Sequence, residues 1–188
     1  MKLICRPSRL HGEVTIPGSK SHTIRGVAIA SLAAGQSRIR VPLDSNDTRS
    51  AIAAYRALGA EIEVHPEEWR VQGVGGEVRV PEDVIDVGNS GVTLHTAMGA
   101  CALLRDGMAV LTGDAQIRRR PAGPLARALT DLGARVRSAR GREVAPFVVE
   151  GRLRGGETTI EGTSSQYVTG VLIAAPLADG DSAIHVTS

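Results

Sequence analysis

Three short turns rich in glycine and hydroxyl side chains are the clearest candidates for chemistry in this sequence. They read GSKS at 18–21, GNSG at 88–91 and GTSSQ at 162–166, and each precedes an apolar segment. Where such a turn opens a helix, unpaired backbone N–H groups and the positive end of the helix dipole create a site for anions. Taken alone, each turn is more simply explained as a helix cap. Three homologous turns together favour a site for a polyanion.

Basic and hydroxyl side chains accompany the first and third turns. Lys20 lies in the first turn, and Arg25 follows it in an otherwise apolar segment, where an unpaired guanidinium would be costly to bury. A phosphate or carboxylate partner removes that cost, although both residues also fit the pattern of ordinary solvated side chains. The third turn contributes the polar groups of Ser164, Ser165 and Gln166.

A run of three arginines, in the sequence RRRP at 118–121, directly precedes a segment with Leu125, Leu129 and Leu132 at the spacing of an amphipathic helix. Arg120 directly precedes Pro121, and its neighbours Arg118 and Arg119 also fit ordinary solvated charges. One of the three is expected to be functional, and the spacing alone does not choose among them.

The overall composition argues against several other classes of function. With 22 basic residues against 20 acidic ones and 2% aromatic residues, the chain lacks the basic face and the stacking side chains of a nucleic-acid binder. Its two cysteines show no metal-binding spacing, so we expect neither a metal site nor a disulfide. The sequence has no run of about 18 apolar residues and no signal-peptide core, so we expect no membrane association and a cytoplasmic location.

An internal repeat organises the elements that position these turns. Segments beginning at Thr15, Ile85 and Thr159 align as a short strand, a glycine-containing turn, an apolar helix and a second strand. The segments that follow the first two of these repeats also resemble each other, since ALGA at 57–60 matches DLGA at 131–134. The glycine in each lies where the C-terminal cap of a helix is expected. With one more strand in WRVQGV and FVVEG, the predicted unit is βαβαββ. The third unit stops after one helix and one strand.

The first helix of each predicted unit is apolar nearly all round, at 27–34, 97–104 and 168–178. Such helices are buried on every side, whereas the second helices are amphipathic. We therefore expect an α/β domain with three apolar helices at its centre. If the units pack around a pseudo-threefold axis, the three turns converge at one end. The units would span about 12–76, 77–151 and, incompletely, 152–188.

Five segments together resemble the successive signatures of the 5-enolpyruvylshikimate-3-phosphate synthase family. They are PGSKSHTIR, LDSNDTRSAIAAYRALGA, GNSG, LTGDAQIRRRPAGPLARALTDLGA and SSQYVTGVLIAAPLA, in the family's order over nearly the whole chain. The resemblance implies transfer of the carboxyvinyl group of phosphoenolpyruvate to the 5-hydroxyl of shikimate 3-phosphate, with release of phosphate, in aromatic amino acid biosynthesis. It also implies that the reaction uses neither a metal nor an organic cofactor.

Carried over by position, the resemblance assigns Lys20 and Arg120 to phosphoenolpyruvate as catalytic residues. It makes Gly91 a point of close backbone approach and lets Gln166 contact both substrates. The residues implied to hold shikimate 3-phosphate are Ser21, Arg25, Ser164 and Ser165. Each phosphate carries about 1.5 to 2 negative charges near neutral pH, so the site needs several preorganised cations and N–H donors.

In the family fold, two domains of three βαβαββ units each, described as inside-out α/β barrels, close over the substrates. The resemblance implies that residues 1–11 form a strand of the second domain, and that residues 12–188 belong to the first. A C-terminal half is thus an expected partner. The acidic proton-transfer residues and further basic residues lie in that half, so the chain alone is expected to be inactive as a transferase.

Three residues after the second turn depart from the family's usual pattern. His95 stands where the family usually has Arg, Val92 where it has Thr, and Thr96 where many members have Pro. We expect lower sensitivity to glyphosate, which occupies the phosphoenolpyruvate site beside this turn. A divergent enzyme acting on another alcohol is an alternative, as is a non-catalytic anion-binding module. The sister family that acts on UDP-N-acetylglucosamine fits less well, because its loop cysteine is missing.

Overall fold

The computed structural model describes residues 2–187, which form five α-helices and nine strands. The helices are α1 (Lys20–Leu32), α2 (Asn46–Ala57), α3 (Gly91–Cys101), α4 (Gly123–Asp131) and α5 (Ser165–Ala174). The strands are β1 (Ala34–Arg40), β2 (Glu61–Val64), β3 (Glu68–Val74), β4 (Ile85–Asp86), β5 (Met108–Thr112), β6 (Arg135–Ser138), β7 (Phe147–Glu150), β8 (Gly156–Glu161) and β9 (Ser182–Thr187). Short 3₁₀ turns lie at Ile117–Arg119 and Ala175–Leu177.

Three small sheets follow one another along the chain. The first is antiparallel with the order β1-β3-β2, and the second has the order β4-β5-β7-β6. Only β4 and β5 are parallel in the second sheet, and β8 and β9 form a parallel pair. Parallel neighbours need a crossover connection, and α3 and α5 are those crossovers. Each of these two helices therefore begins at the carboxyl end of a strand, directly after a glycine-containing turn.

The strand expected from Thr15 is absent, so that part of the prediction is wrong. Residues 2–19 contain neither helix nor strand, and Val14 and Ile16 are largely exposed. A strand needs a neighbour for its backbone groups, and this segment pairs with none of the described strands. The pairing expected for residues 1–11 involves a second domain and stays a prediction. Met1 and Ser188, the outer bounds of the predicted segments, lie outside the described residues.

Helix α3 lies at the centre of the core. All 11 of its residues are buried, and it contacts α1, α2, α4 and α5. The prediction that all three apolar helices are buried on every side is wrong for α1 and α5. Ile29 of α1 is 59% exposed and Leu172 of α5 is 55% exposed, because an open groove separates these two helices.

Two glycines set the distance between α3 and α5. A methyl group at Gly99 would lie 2.1 Å from the carbonyl oxygen of Gly170. One at Gly170 would lie 2.7 Å from the carbonyl oxygen of His95. Neither distance leaves room for a side chain, so the two helix backbones touch directly and their first turns lie side by side.

We expect Gly99→Ala to lower the free energy of unfolding by about 1 to 3 kcal/mol, because the methyl group must push α5 away from α3. The measurement is urea denaturation at neutral pH. Gly26→Ala in α1 is the matched control: its methyl group would meet only Ile39, at 3.7 Å, an ordinary contact. Alanine there should be neutral or stabilising, since it favours a helix by roughly 1 kcal/mol over glycine. Equal losses in the two variants would contradict the direct contact.

Candidate anion-binding site

The three glycine-containing turns open α1, α3 and α5, as the sequence predicts. In each turn a serine hydroxyl accepts a hydrogen bond from a backbone N–H of the first helical turn; these serines are Ser19, Ser90 and Ser164. Capping therefore accounts for the three serines on structural grounds. It satisfies one N–H of each helix, and in α5 the N–H of Tyr167 also donates to the carbonyl oxygen of Ser164 at 3.1 Å. The N–H groups at the first helical positions, those of Lys20, Gly91 and Ser165, have no acceptor within their helices.

The turns before α3 and α5 share one cleft. A methyl group at Gly91 would lie 3.2 Å from Arg120 Nη1 and 3.5 Å from Gln166 Oε1. The missing side chain at Gly91 therefore lets a guanidinium and an amide approach the helix backbone closely. We call the space bounded by Gly91, Arg120 and Gln166 the anion cleft. The structure thus brings together three of the four residues that the resemblance assigned to phosphoenolpyruvate, whereas the fourth, Lys20, contacts Asp47 instead.

Arg120 is the member of the arginine run that faces the anion cleft. Its Nη2 donates to Asn89 Oδ1 at 3.4 Å. All three arginines are exposed, but Arg118 instead donates to the backbone carbonyl of Gly113, and Arg119 makes no side-chain hydrogen bond within residues 2–187. The tight 3₁₀ turn at Ile117–Arg119 sends successive side chains in different directions, so only one arginine of the run reaches the cleft.

Asn89 and Asp114, which the sequence did not single out, hold Arg120 in place. Asn89 Nδ2 donates to Asp114 Oδ2 at 2.8 Å, while its amide oxygen accepts from Arg120. Asp114 also accepts backbone N–H bonds from Gln116 and Ile117 at 2.8 and 2.9 Å. These bonds, the one from Ile117 foremost, keep the pKa of Asp114 below its ordinary value. The signal in the sequence was an Asp that can bond the backbone two residues on, as in an Asx turn.

Lys20 and Arg25 already have partners within the protein. Lys20 Nζ lies 2.7 Å from Asp47 Oδ2 in the first turn of α2, with half of the lysine side chain exposed. Arg25 donates to the carbonyl oxygen of Ser21 at 3.3 Å and to Thr169 Oγ1 at 3.4 Å. Both acceptors of Arg25 are neutral, so an anionic ligand would improve its surroundings. The same ligand would compete with Asp47 for Lys20.

The residues implied to hold shikimate 3-phosphate lie across α1 and α5. Ser21 is half-buried in the first turn of α1, and Ser165 is exposed in the first turn of α5. The bond from Arg25 to Thr169 bridges the two helices. Lys20 lies apart from the anion cleft, because its side chain contacts Asp47 of α2.

His95 lies one helical turn after Gly91 on α3 and is 6% exposed. Its Nδ1 is 3.1 Å from Gln166 Oε1, and its ring meets Tyr167 edge-on with 5.1 Å between the ring centres. Burial lowers the pKa of His95 to about 4; the bond with Gln166 opposes this effect, and the positive charge of Arg120 adds to it. The imidazole is therefore neutral at physiological pH.

Val92 and Thr96 are both buried within α3. Thr96 Oγ1 donates to the carbonyl oxygen of Thr93 at 3.3 Å, a bond inside the helix itself. Their influence on glyphosate would therefore pass through the position of α3, and that influence stays a prediction.

No group of three or more His, Cys, Asp and Glu side chains in residues 2–187 is placed to hold a metal ion. No helix in the described part of the chain is long and apolar enough to cross a membrane.

Comparison with known families gives a match over almost the whole chain. The model of the family described as EPSP synthase (3-phosphoshikimate 1-carboxyvinyltransferase) matches residues 4–188. The 3-phosphoshikimate 1-carboxyvinyltransferase of Acetivibrio thermocellus is 51% identical over 187 residues, which are 100% of this chain and 44% of that protein. The protein of the same name from Methanothrix thermoacetophila is 48% identical over 180 residues, covering 95% of this chain and 42% of that protein.

Solved structures give the same result for the fold. The EPSP synthase from Acinetobacter baumannii superimposes with a TM-score of 0.85 at 26% sequence identity, covering 94% of this chain and 40% of that chain. The α/β enolpyruvyl transferase fold expected from the sequence is thus confirmed. The chain spans about 44% of the length of the curated relatives it matches.

Because His95 is buried in its neutral form, we expect the free energy of unfolding of the protein to fall in acid. The unfolded chain protonates this histidine near pH 6.5, whereas the folded protein keeps it neutral down to about pH 4. Its contribution is therefore complete above about pH 6.5 and is lost as the pH falls from there to about 4, by up to about 3 kcal/mol. The measurement is urea denaturation of the wild type and of His95→Asn at several pH values in this range. If the two stability curves run parallel, the histidine is not buried in its neutral form.

Proposed function

The chain belongs to the EPSP synthase family, and on that premise we propose that it forms the substrate-binding N-terminal part of a 3-phosphoshikimate 1-carboxyvinyltransferase. In the proposed reaction the 5-hydroxyl group of shikimate 3-phosphate loses its proton and its oxygen bonds to C2 of phosphoenolpyruvate while C3 takes up a proton, giving a tetrahedral intermediate. The bond from C2 to the phosphate oxygen then breaks as C3 loses a proton, which restores the carbon–carbon double bond, and inorganic phosphate leaves. The reaction would serve aromatic amino acid biosynthesis, without a metal or organic cofactor.

This proposal rests on the close approach of Gly91, Arg120 and Gln166, which together line the anion cleft. A guanidinium beside the N-terminus of a helix is complementary to the phosphate and carboxylate of phosphoenolpyruvate. Asn89 and Asp114 support Arg120 before any ligand arrives. Such preorganised donors stabilise charge without reorganisation during the reaction.

Arg25 is the proposed anchor for shikimate 3-phosphate, with hydroxyls from both neighbouring helices beside it. These hydroxyls would come from Ser21, Ser164 and Ser165, so the substrate would lie across the first turns of α1 and α5. Lys20 would leave Asp47 for the phosphate of phosphoenolpyruvate. The ion pair to be broken is half-exposed, and such pairs are worth only about 0 to 1 kcal/mol.

A groove of about 530 Å³ between α1 and α5 supports the proposal that the complete domain is built from βαβαββ units. Helix α2 packs against α1 and α3, and α4 packs against α3 and α5. No described helix takes the corresponding place between α5 and α1, where Ile29, Leu172 and Ile173 line the groove. We propose that an amphipathic helix of the third unit covers it, completing a pseudo-threefold domain of residues 12–188 and beyond. Residues 1–11 would pair with the second domain.

Arg25→Ala should weaken the binding of shikimate 3-phosphate to the chain about 10- to 100-fold, because a charge-assisted hydrogen bond is lost. Isothermal titration calorimetry at low ionic strength measures this. Arg119→Ala is the control, since it removes the same charge from an exposed position outside the cleft. Unchanged binding in Arg25→Ala, or the same loss in Arg119→Ala, would mean that the turns are only helix caps.

Lys20→Ala and Arg120→Ala should act on the other substrate, because both side chains are proposed to meet phosphoenolpyruvate. In a protein completed with a C-terminal half, each should mainly weaken the use of phosphoenolpyruvate, also about 10- to 100-fold in kcat/KM. Steady-state phosphate release with each substrate varied in turn measures this. A loss confined to the KM for shikimate 3-phosphate would contradict the assignment.

A further inference from the structure

His95 and Gln166 form a buried pair between α3 and α5. His95 Nδ1 lies 3.1 Å from Gln166 Oε1, and His95 Nε2 is buried without a hydrogen-bond partner in the described structure. Tyr167 packs edge-on against the imidazole, and its own hydroxyl donates to the carbonyl oxygen of Pro121 at 2.9 Å. The imidazole is therefore contacted by Gln166 on one side and by Tyr167 on another.

The unpaired Nε2 decides which ring nitrogen carries the hydrogen. A neutral imidazole has one N–H, so two arrangements satisfy the contact with Gln166. If Nδ1 carries the hydrogen, it donates to the amide oxygen, and the unpaired Nε2 is only an acceptor. If Nε2 carries it, the amide must turn its NH2 towards Nδ1, and a buried N–H donor is left unpaired. A buried N–H without a partner is the rarer and costlier defect, so the Nδ1–H form is favoured.

We infer that His95 is a positioning residue, whose Nδ1–H holds the amide oxygen of Gln166 against α3 beside Gly91, so that the amide NH2 faces away from α3 and is left for a ligand. Within residues 2–187 this NH2 group makes no hydrogen bond, because the bonds of Gln166 involve its amide oxygen and its backbone N–H, so both NH2 hydrogens are available to a ligand. A phosphate or carboxylate beside the first turn of α5 then meets N–H donors. With the amide reversed, it would meet the lone pairs of an oxygen and be repelled. The inference rests on the proposed function, because it names what orients one residue of that site.

The first test needs no ligand. A long-range ¹H–¹⁵N correlation spectrum of the chain reports which imidazole nitrogen of His95 carries the hydrogen. We expect the Nδ1–H form at neutral pH. The Nε2–H form would overturn the inference, whatever the chain binds.

The second test separates positioning from general support of the fold. His95→Asn places an amide donor near the position of Nδ1, whereas His95→Leu fills the space without a donor. In calorimetric titrations with shikimate 3-phosphate, His95→Leu should bind roughly tenfold more weakly than the wild type, as expected for one lost hydrogen bond. His95→Asn should stay within about threefold of the wild type. Equal losses in the two variants would contradict positioning by the donor.

A double-mutant cycle completes the test, since a residue that acts through Gln166 has nothing to act on when the amide is gone. In a Gln166→Ala background, His95→Leu should cause no further loss of affinity. A further tenfold loss there would show a merely structural role and overturn the inference. A wild-type chain that binds no shikimate 3-phosphate would contradict the proposed function instead, and the imidazole spectrum would then decide for or against the orientation of the pair.

Discussion

The direct backbone contact between Gly99 on α3 and Gly170 on α5 is the constraint on which the candidate site depends. Gly91 and His95 lie in the turns of α3 that precede Gly99, and Gln166 lies one turn before Gly170. With the helices in contact, the amide of Gln166 comes within hydrogen-bond reach of His95 and within 3.5 Å of a methyl group placed at Gly91. Side chains at the two contacting glycines would separate the turns and open the cleft. The local geometry of the site is therefore a consequence of helix packing in the core.

The cationic side chains of the site have weak partners within the protein, which an anionic ligand can replace or supplement. Arg25 has only neutral acceptors, Arg120 makes one long bond to an amide, and Lys20 shares a half-exposed ion pair with Asp47. None of these cations is locked in a buried ion pair, which would be costly to break. The neutral state of His95 adds no positive charge beside Arg120, so the pair with Gln166 supplies orientation and not charge.

Much of the site was predictable because its signals are local. A glycine turn followed by an apolar segment fixes the start of a helix, so the three turns and the crossover helices α3 and α5 follow from the sequence. The exposure of Ile29 and Leu172 did not follow, because burial of a helix face depends on a neighbour that its own sequence does not contain. The strand from Thr15 failed for the same reason, since a strand needs a pairing partner. Likewise, His95 and Gln166 lie 71 positions apart, and no local pattern links them.

The first turns of α1, α3 and α5 are proposed to form one anion-binding site, and the decisive experiment is an NMR titration of the ¹⁵N-labelled chain with shikimate 3-phosphate. The backbone amides of Ser21, Gly91 and Gln166 report on the three turns separately. If the three turns form one site, all three amide signals shift with one common dissociation constant. Shifts confined to the exposed arginines between 135 and 142, or three turns that saturate at different concentrations, would contradict a single site.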